Sequence, residues 1–244
     1  MADGRAAVCR YNAIMDIKER YQQADTLTFD CYGTLVDWRA GIETSLLSLF
    51  GDSLLPRMQE VYLAYVDTEK EVEADAVANG FKDYRQILTA TAARLAEKLG
   101  VPLAAEGAAR LPDLLGTWPP FADTVSALRR LKSRYRLGIL SNIDRDLFSQ
   151  TAQHLEVEFD FIVTAQDVQS YKPAQGHFVR MMSDHAEKEK VIHVAQSLYH
   201  DGRPANELGL AYIWINRYKD KDELGIRKDA EFADLQSLAD NMGL

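Results

Sequence analysis

The sequence predicts an α/β protein, an open parallel sheet connected by helices and interrupted once by a block of helices alone. Three observations carry this. The run Thr26 to Phe29 is apolar and β-branched and breaks at once into Asp30, Cys31, Tyr32 and Gly33, the pattern of a buried strand ending in a tight turn. From Arg136 onward, strand-sized apolar runs alternate with amphipathic helical ones, which implies parallel strands with right-handed crossovers and helices on both faces. Between these regions, residues 38–116 show helical periodicity with no strand, so they read as an inserted helical domain in a core of residues 1–37 and 117–244.

Taken in order, residues before about Tyr11 read as frayed, and Ile14, Ile17 and Tyr21 then recur at helical spacing before the first strand. In the inserted block, helices are expected over 42–50, 56–73, 84–99 and 106–115; Gly100, Val101 and Pro102 stop the third, a glycine past the end with a proline soon after. TWPPF at 117–121 cannot continue a helix and marks the return to the core. A helix at 123–132 comes next, then strand 136–140, helix 145–155, strand 159–164, helix 176–188, strand 191–195, helix 205–208, strand 211–215 and a closing helix at 232–241.

Composition excludes several classes of function. With 47% apolar and 27% charged residues the chain is neither disordered nor membrane-spanning, since its longest apolar runs are strand-sized. A net charge of −9 without a Lys/Arg-rich run argues against a nucleic-acid surface, and an anionic substrate would need a local basic pocket. Two cysteines, Cys9 and Cys31, make neither a disulfide framework nor a zinc site and suit a reducing cytoplasm. The first residues lack the sustained apolar stretch of a secretory signal.

The candidate site emerges from the residues just past each strand: Asp30; Ser141 and Asn142; Lys172 in SYKP; and Gln196, Ser197 and Asp201 in VAQSLYHD. Each has an ordinary explanation, with Asn142 or Asp144 as a helix cap, Lys172 as a loop lysine and Asp201 in an Asp-Gly turn. Their shared place at carboxyl ends of parallel strands, where ligands collect, makes Asp30 a candidate nucleophile or base. Trp38 and Tyr32 either wall a small apolar pocket or are simply packed beside a turn. Arg39 either reaches the mouth of the site or is a surface arginine at a helix start. His200 beside Asp201 is either an aid to water activation or a loop histidine, and Glu69 and Glu73 share a helical face best read as a solvated or salt-bridged stripe.

These residues resemble the haloacid dehalogenase superfamily from about Leu27 to the last strand. FDCYGTLVDW is similar to its first motif, LSN to its second, YKP to its third and VAQSLYHD to its fourth. The resemblance implies a Rossmann-like core with an inserted helical cap, Asp30 as covalent nucleophile and Lys172 as the cation that orients and charge-balances it. Most members transfer phosphoryl groups and hold magnesium through a second Asp two residues after the nucleophile and an acidic residue in the fourth motif; here those positions are Tyr32 and Gln196. Asp30 and an incoming phosphate would then repel by about 4 kcal/mol per unit-charge pair at about 4 Å and an effective dielectric of ~20.

The Tyr32 variant is similar to the type II 2-haloacid dehalogenase branch, where no metal is needed and no cofactor is expected. There Asp30 would displace halide from carbon, Thr34 hydrogen-bond it, Ser141 and Asn142 hold substrate carboxylate or leaving group, and Asp201 orient or deprotonate the water. Lys172 should keep Asp30 ionised. The implied partners are a small haloacid and its halide, with a homodimer suggested. The family's cap arginine has no counterpart near Val61, and Phe178 and Leu198 replace its Tyr and Asn. A phosphatase with atypical metal ligands and a catalytically silent binder of a small acid stand as alternatives.

Overall fold

The computed structural model describes residues 16–244. The expected frayed start, Ile14, Cys9 and the reading of the first residues as lacking a signal lie outside them. Among the described residues no helix is long and apolar enough to cross a membrane.

Six strands, β1 Thr26–Phe29, β2 Arg136–Ser141, β3 Phe161–Thr164, β4 Val191–Ala195, β5 Ala211–Ile215 and β6 Ala230–Phe232, form one sheet in the order β3-β2-β1-β4-β5-β6, with every pairing parallel. The strand ladder sets Thr26 beside both Arg136 and Val191, so β1 is central and buried along its whole length. The chain steps outward from β1 through β2 to β3 and then returns to the other side of β1 with β4. The carboxyl ends of β1 and β4 therefore flank the point where strand order reverses, the place where an open α/β sheet leaves a crevice.

The helices before the return to the sheet are α1 Ile17–Gln23, α2 Trp38–Phe50, α3 Met58–Asn79, α4 Tyr84–Leu99, α5 Ala105–Ala108 and α6 Leu111–Leu114. They are succeeded by α7 Thr124–Lys132, α8 Arg145–Leu155, α9 Ala165–Val168, α10 Gly176–Asp184, α11 Arg203–Leu208 and α12 Leu235–Met242. Between β1 and β2 helices and their connections carry the chain, with no strand beyond isolated bridges at Val36, to Tyr32 and to Pro120.

Several boundaries differ from expectation for identifiable reasons. Pro56 lies in a separate 3₁₀ turn, Asp52–Arg57, so α3 starts two residues later and continues beyond 73 because Val72 and Ala76 keep its buried face intact. The expected helix at 106–115 is two short ones, since Pro112 would lose the bond to Ala108 and clash with its carbonyl. The helix from 176 ends at Asp184, and the closing helix begins only after Asp234 accepts from Ser237 N as its cap. Phe232, read as its first residue, belongs instead to β6, a half-exposed edge strand too short to show a period.

One apolar cluster joins sheet and helical block: Leu27 and Phe29 of β1, Ile42 and Leu46 of α2, Val61 and Tyr65 of α3, Ile87 of α4 and Trp118 are buried together. The chain leaves and re-enters the core along paired segments, with Asp37 N donating to Pro119 O (2.9 Å) and Phe121 N to Leu35 O (3.1 Å).

Candidate active site

Asp30 continues β1 by one residue, its N–H reaching Val194 O of β4 at 3.3 Å. The chain must then reverse sharply, and Gly33 supplies a φ of +90° that a side chain would resist. Gly33 N donates to Val36 O (2.8 Å), and this turn brings Thr34 back over the strand end. Thr34 Oγ1 donates to Asp30 Oδ2 (2.9 Å) and accepts from Gln196 N (3.0 Å), linking the first strand end to the fourth.

Lys172 is almost wholly buried, and its three ammonium protons have three acceptors: Asp30 Oδ1 (2.9 Å), Asp201 Oδ1 (2.6 Å) and Leu140 O (2.8 Å). Asn142 fixes the lysine backbone from both sides, accepting from Lys172 N (2.7 Å) and donating to Lys172 O (3.1 Å). Asn142 also lines the cavity, and its second amide N–H remains available to a ligand, the role the sequence suggested for it. Asp201 Oδ1 also pairs with His193 Nε2 (2.9 Å), whose Nδ1 meets Thr28 Oγ1 (2.9 Å). An ionised carboxylate only accepts, so Nε2 donates to Asp201. Asp201 Oδ2 is buried with no hydrogen-bond partner among the described residues.

One ammonium serves two buried carboxylates, and they do not share it equally. Burial alone would raise Asp201, but Lys172 and His193 together hold it at about 2. Burial also raises Asp30; Lys172 pulls it down, the Asp201 charge pushes it up, and the net position is above the ordinary carboxylate value. The expected role of Lys172 is visible in this balance: the ammonium favours ionised Asp30, while burial and the Asp201 charge oppose it. Lys172, penalised by burial, is still raised by the two carboxylates.

Around this trio lies a cavity of about 720 Å³. Ser141 lines it from the end of β2, while its carbonyl accepts from the buried, neutral His177 (3.1 Å). Tyr32 lines it too, but the ring packs edge-on to Trp118 and the hydroxyl bonds Thr151 of α8 (2.8 Å), so much of this side chain is structural. Trp38 forms wall, edge-on to Tyr62 and Tyr65. Arg39 stands at the cavity and is also tied down, with Nε on Glu43 (2.9 Å), Nη2 on Gln59 and its plane over the Tyr62 ring. His200 faces the cavity as well, its Nδ1 beside Ser197 Oγ (3.2 Å), and burial lowers its pKa. Phe178 and Leu198 instead sit in a buried apolar cluster behind β4, where Phe178 meets His193 edge-on.

The largest departure from expectation is Glu69. It is not solvated: it is 8% exposed, lines the cavity, and its Oε1 accepts from Tyr65 OH (2.9 Å) and Tyr84 OH (2.7 Å). Glu73 lies on the same wall, pushed up to about 8 by burial and by Glu69. Helical spacing put both on one face; the missing information was that Tyr84, on the next helix, supplies a donor that makes burial tolerable. Lys70, Tyr62, Tyr218 and Asp220 complete a wall that sequence reasoning did not assign.

The donor set does not suit a divalent cation. Tyr32 and Gln196 stand where oxygen-rich metal sites need carboxylates, Lys172 Nζ occupies the space between Asp30 and Asp201, and among the described residues no three His, Cys, Asp or Glu side chains are grouped to hold an ion.

A family model described as haloacid dehalogenase-like hydrolase matches residues 24–209. The chain is 30% identical over 195 residues to an (S)-2-haloacid dehalogenase of Pseudomonas fluorescens, covering 78% of this chain and 83% of that protein. It is 25% identical over 224 residues to the (S)-2-haloacid dehalogenase of Pseudomonas sp. strain YL, covering 88% and 92%. Among solved structures, the L-2-haloacid dehalogenase from Xanthobacter autotrophicus with chloropropionic acid covalently bound has a TM-score of 0.78 at 16% identity, over 89% of this chain and 97% of that one. A magnesium-bound HAD protein of Bacillus subtilis reaches 0.74 at 18% identity, over 91% and 100%, so the fold by itself does not choose the chemistry.

Proposed function

Because the chain belongs to the haloacid dehalogenase-like hydrolase family, we propose that it hydrolyses the carbon–halogen bond of 2-haloacids, haloacetates and 2-halopropionates included, through an aspartyl ester on Asp30 and without a metal ion. The carrying observation is the placement of Lys172 between Asp30 and Asp201, with Thr34 on the second oxygen of Asp30. A carboxylate fixed by two donors, at a strand end facing a cavity, is oriented for attack on carbon.

An Asp30 oxygen forms a bond to the carbon bearing the halogen as that carbon–halogen bond breaks and its electron pair leaves with halide. Water then adds to the Asp30 carboxyl carbon, the bond to the substrate oxygen breaks, and a 2-hydroxyacid departs. One water proton goes to the departing alkoxide and the other to solvent; Asp30 keeps an oxygen from water. Asp201, held near 2, is a weak base but offers Oδ2 as an acceptor that aligns the water. Ser141, Asn142 and Arg39 bind the substrate carboxylate or halide, Asn142 also positions Lys172, Trp38 and Tyr32 wall the reacting carbon, and residues 38–116 act as a cap over the site.

Halide release from chloroacetate is expected to survive EDTA; activity lost to chelator and restored by magnesium would overturn the proposal. In heavy-oxygen water, a single turnover should label Asp30 before product. Asp30→Asn should abolish turnover without unfolding the protein, because the nucleophile is lost at constant volume; circular dichroism checks the fold. Ligand-induced stabilisation without turnover across a haloacid panel would favour a silent binder. A cytoplasmic homodimer belongs to the same proposal: Cys31, buried and free among the described residues, suits a reducing compartment, the family suggests the dimer, and light scattering tests it.

A further inference from the structure

The helical block presents Tyr62, Val66, Glu69, Lys70 and Glu73 to the cavity, one face of α3 at i, i+4, i+7, i+8 and i+11. Glu69 is a built feature of this wall. Two tyrosine hydroxyls from different helices converge on its Oε1, while Oε2 has no hydrogen-bond partner among the described residues. A carboxyl buried to this degree costs stability unless its oxygens are satisfied, and the second oxygen is left to meet whatever enters.

Charge and size point the same way. A 2-haloacid brings a carboxylate into a cavity lined by Asp30, Asp201, Glu69 and Asp220, joined by Glu73 as pH rises through about 8, against Lys172, Lys70 and an Arg39 already paired with Glu43. Lys172 is fully used by Asp30, Asp201 and Leu140 O, so among the described residues the cation acting on Glu69 is the exposed Lys70. At about 720 Å³ the cavity falls in the range that holds ligands far larger than a haloacetate, roughly 300–1,000 Å³.

We propose that the preferred substrate is a 2-haloacid bearing an ammonium group at its far end, accepted by Glu69 with Glu73. This rests on the dehalogenase reading and names the substrate within it. An ammonium at that wall replaces repulsion with a charge-assisted hydrogen bond to the free oxygen of Glu69. Burial pushes both glutamates up, and a bound cation would draw both back down.

The test is a halide-release panel on the purified protein: ω-amino-2-chloroacids of increasing chain length, each paired with the chloroacid in which methyl replaces the ammonium, and with chloroacetate as reference. At the matching length, kcat/KM for the amino compound is expected to exceed that of its methyl partner by about tenfold or more. Glu69→Gln, which keeps an acceptor for Tyr65 and Tyr84, should collapse that ratio through KM, and Glu73→Gln should reduce it; melting curves check that both fold. Halide release with methyl partners equal or better at every length would overturn this proposal and leave the dehalogenase standing. Equal turnover of the corresponding hydroxyl compounds would also overturn it, since charge would then not matter. No halide from any compound, chloroacetate included, would fell the dehalogenase reading and this one with it.

Discussion

Single residues in this cavity differ in proton affinity because the one ammonium is unequally divided. Lys172 lies nearer Asp201 (2.6 Å) than Asp30 (2.9 Å), and His193 adds a bond to Asp201 only. Asp201 therefore stays charged, while Asp30 titrates above the usual carboxylate value of about 3.9. Attack on carbon needs ionised Asp30, so kcat/KM should fall as pH drops through that raised pKa. The acid limb of a pH–rate profile on chloroacetate should accordingly sit above the ordinary carboxylate range. At the other end, Glu73 loses its proton as pH rises through about 8 and adds a negative charge to the wall. KM for an anionic haloacid should rise there, and Glu73→Gln should flatten that rise; a KM indifferent to pH between 7 and 9, ~1 unit either side, would contradict the assignment.

Among elements, the join between sheet and helical block depends on a cap that crosses between them. Asp144 precedes α8 but makes no side-chain bond to it; its two oxygens accept from Tyr84 N and Arg85 N (both 2.8 Å) and so cap α4, far away in the chain. Arg85 reinforces the join by pairing with Asp113 and with Asp146 of α8. A helix-capping residue could be read at 144, but which helix it serves could not. Asp144→Ala is expected to lower stability by about 1–2 kcal/mol, the usual loss for a cap. Because Tyr84 also holds Glu69, the same change should raise KM more than it lowers kcat. A melting curve with steady-state kinetics checks both; unchanged KM with lowered stability would mean that the cap does not position the wall.

Across the molecule, the sheet order and the return of the chain from the helical block are fastened at Arg217, just beyond β5. It forms a two-point pair with Asp123 (2.9 and 3.2 Å), donates to Thr34 O (2.9 Å) and stacks on Phe121, while Asp123 also accepts from Leu235 N. Arg217→Ala leaves Asp123 half-buried without its cation, and a loss of roughly 3 kcal/mol is expected by chemical denaturation, more than for an exposed pair such as Arg203–Glu207. Local sequence was enough for the parallel α/β plan, five of the six strands and the strand-end positions of Asp30 and Ser141, whereas Lys172 lies beyond α9 and Asp201 in the helical turn after β4. Alternating apolar runs and turn residues are local signals, and a parallel sheet exposes its strand ends on one side. That Asn142 serves Lys172, that Asp144 caps a distant helix and that Glu69 faces the cavity became visible only in three dimensions. Whether a polar side chain is solvated or buried depends on donors from remote parts of the chain, such as Tyr84 for Glu69, and no local pattern contains them.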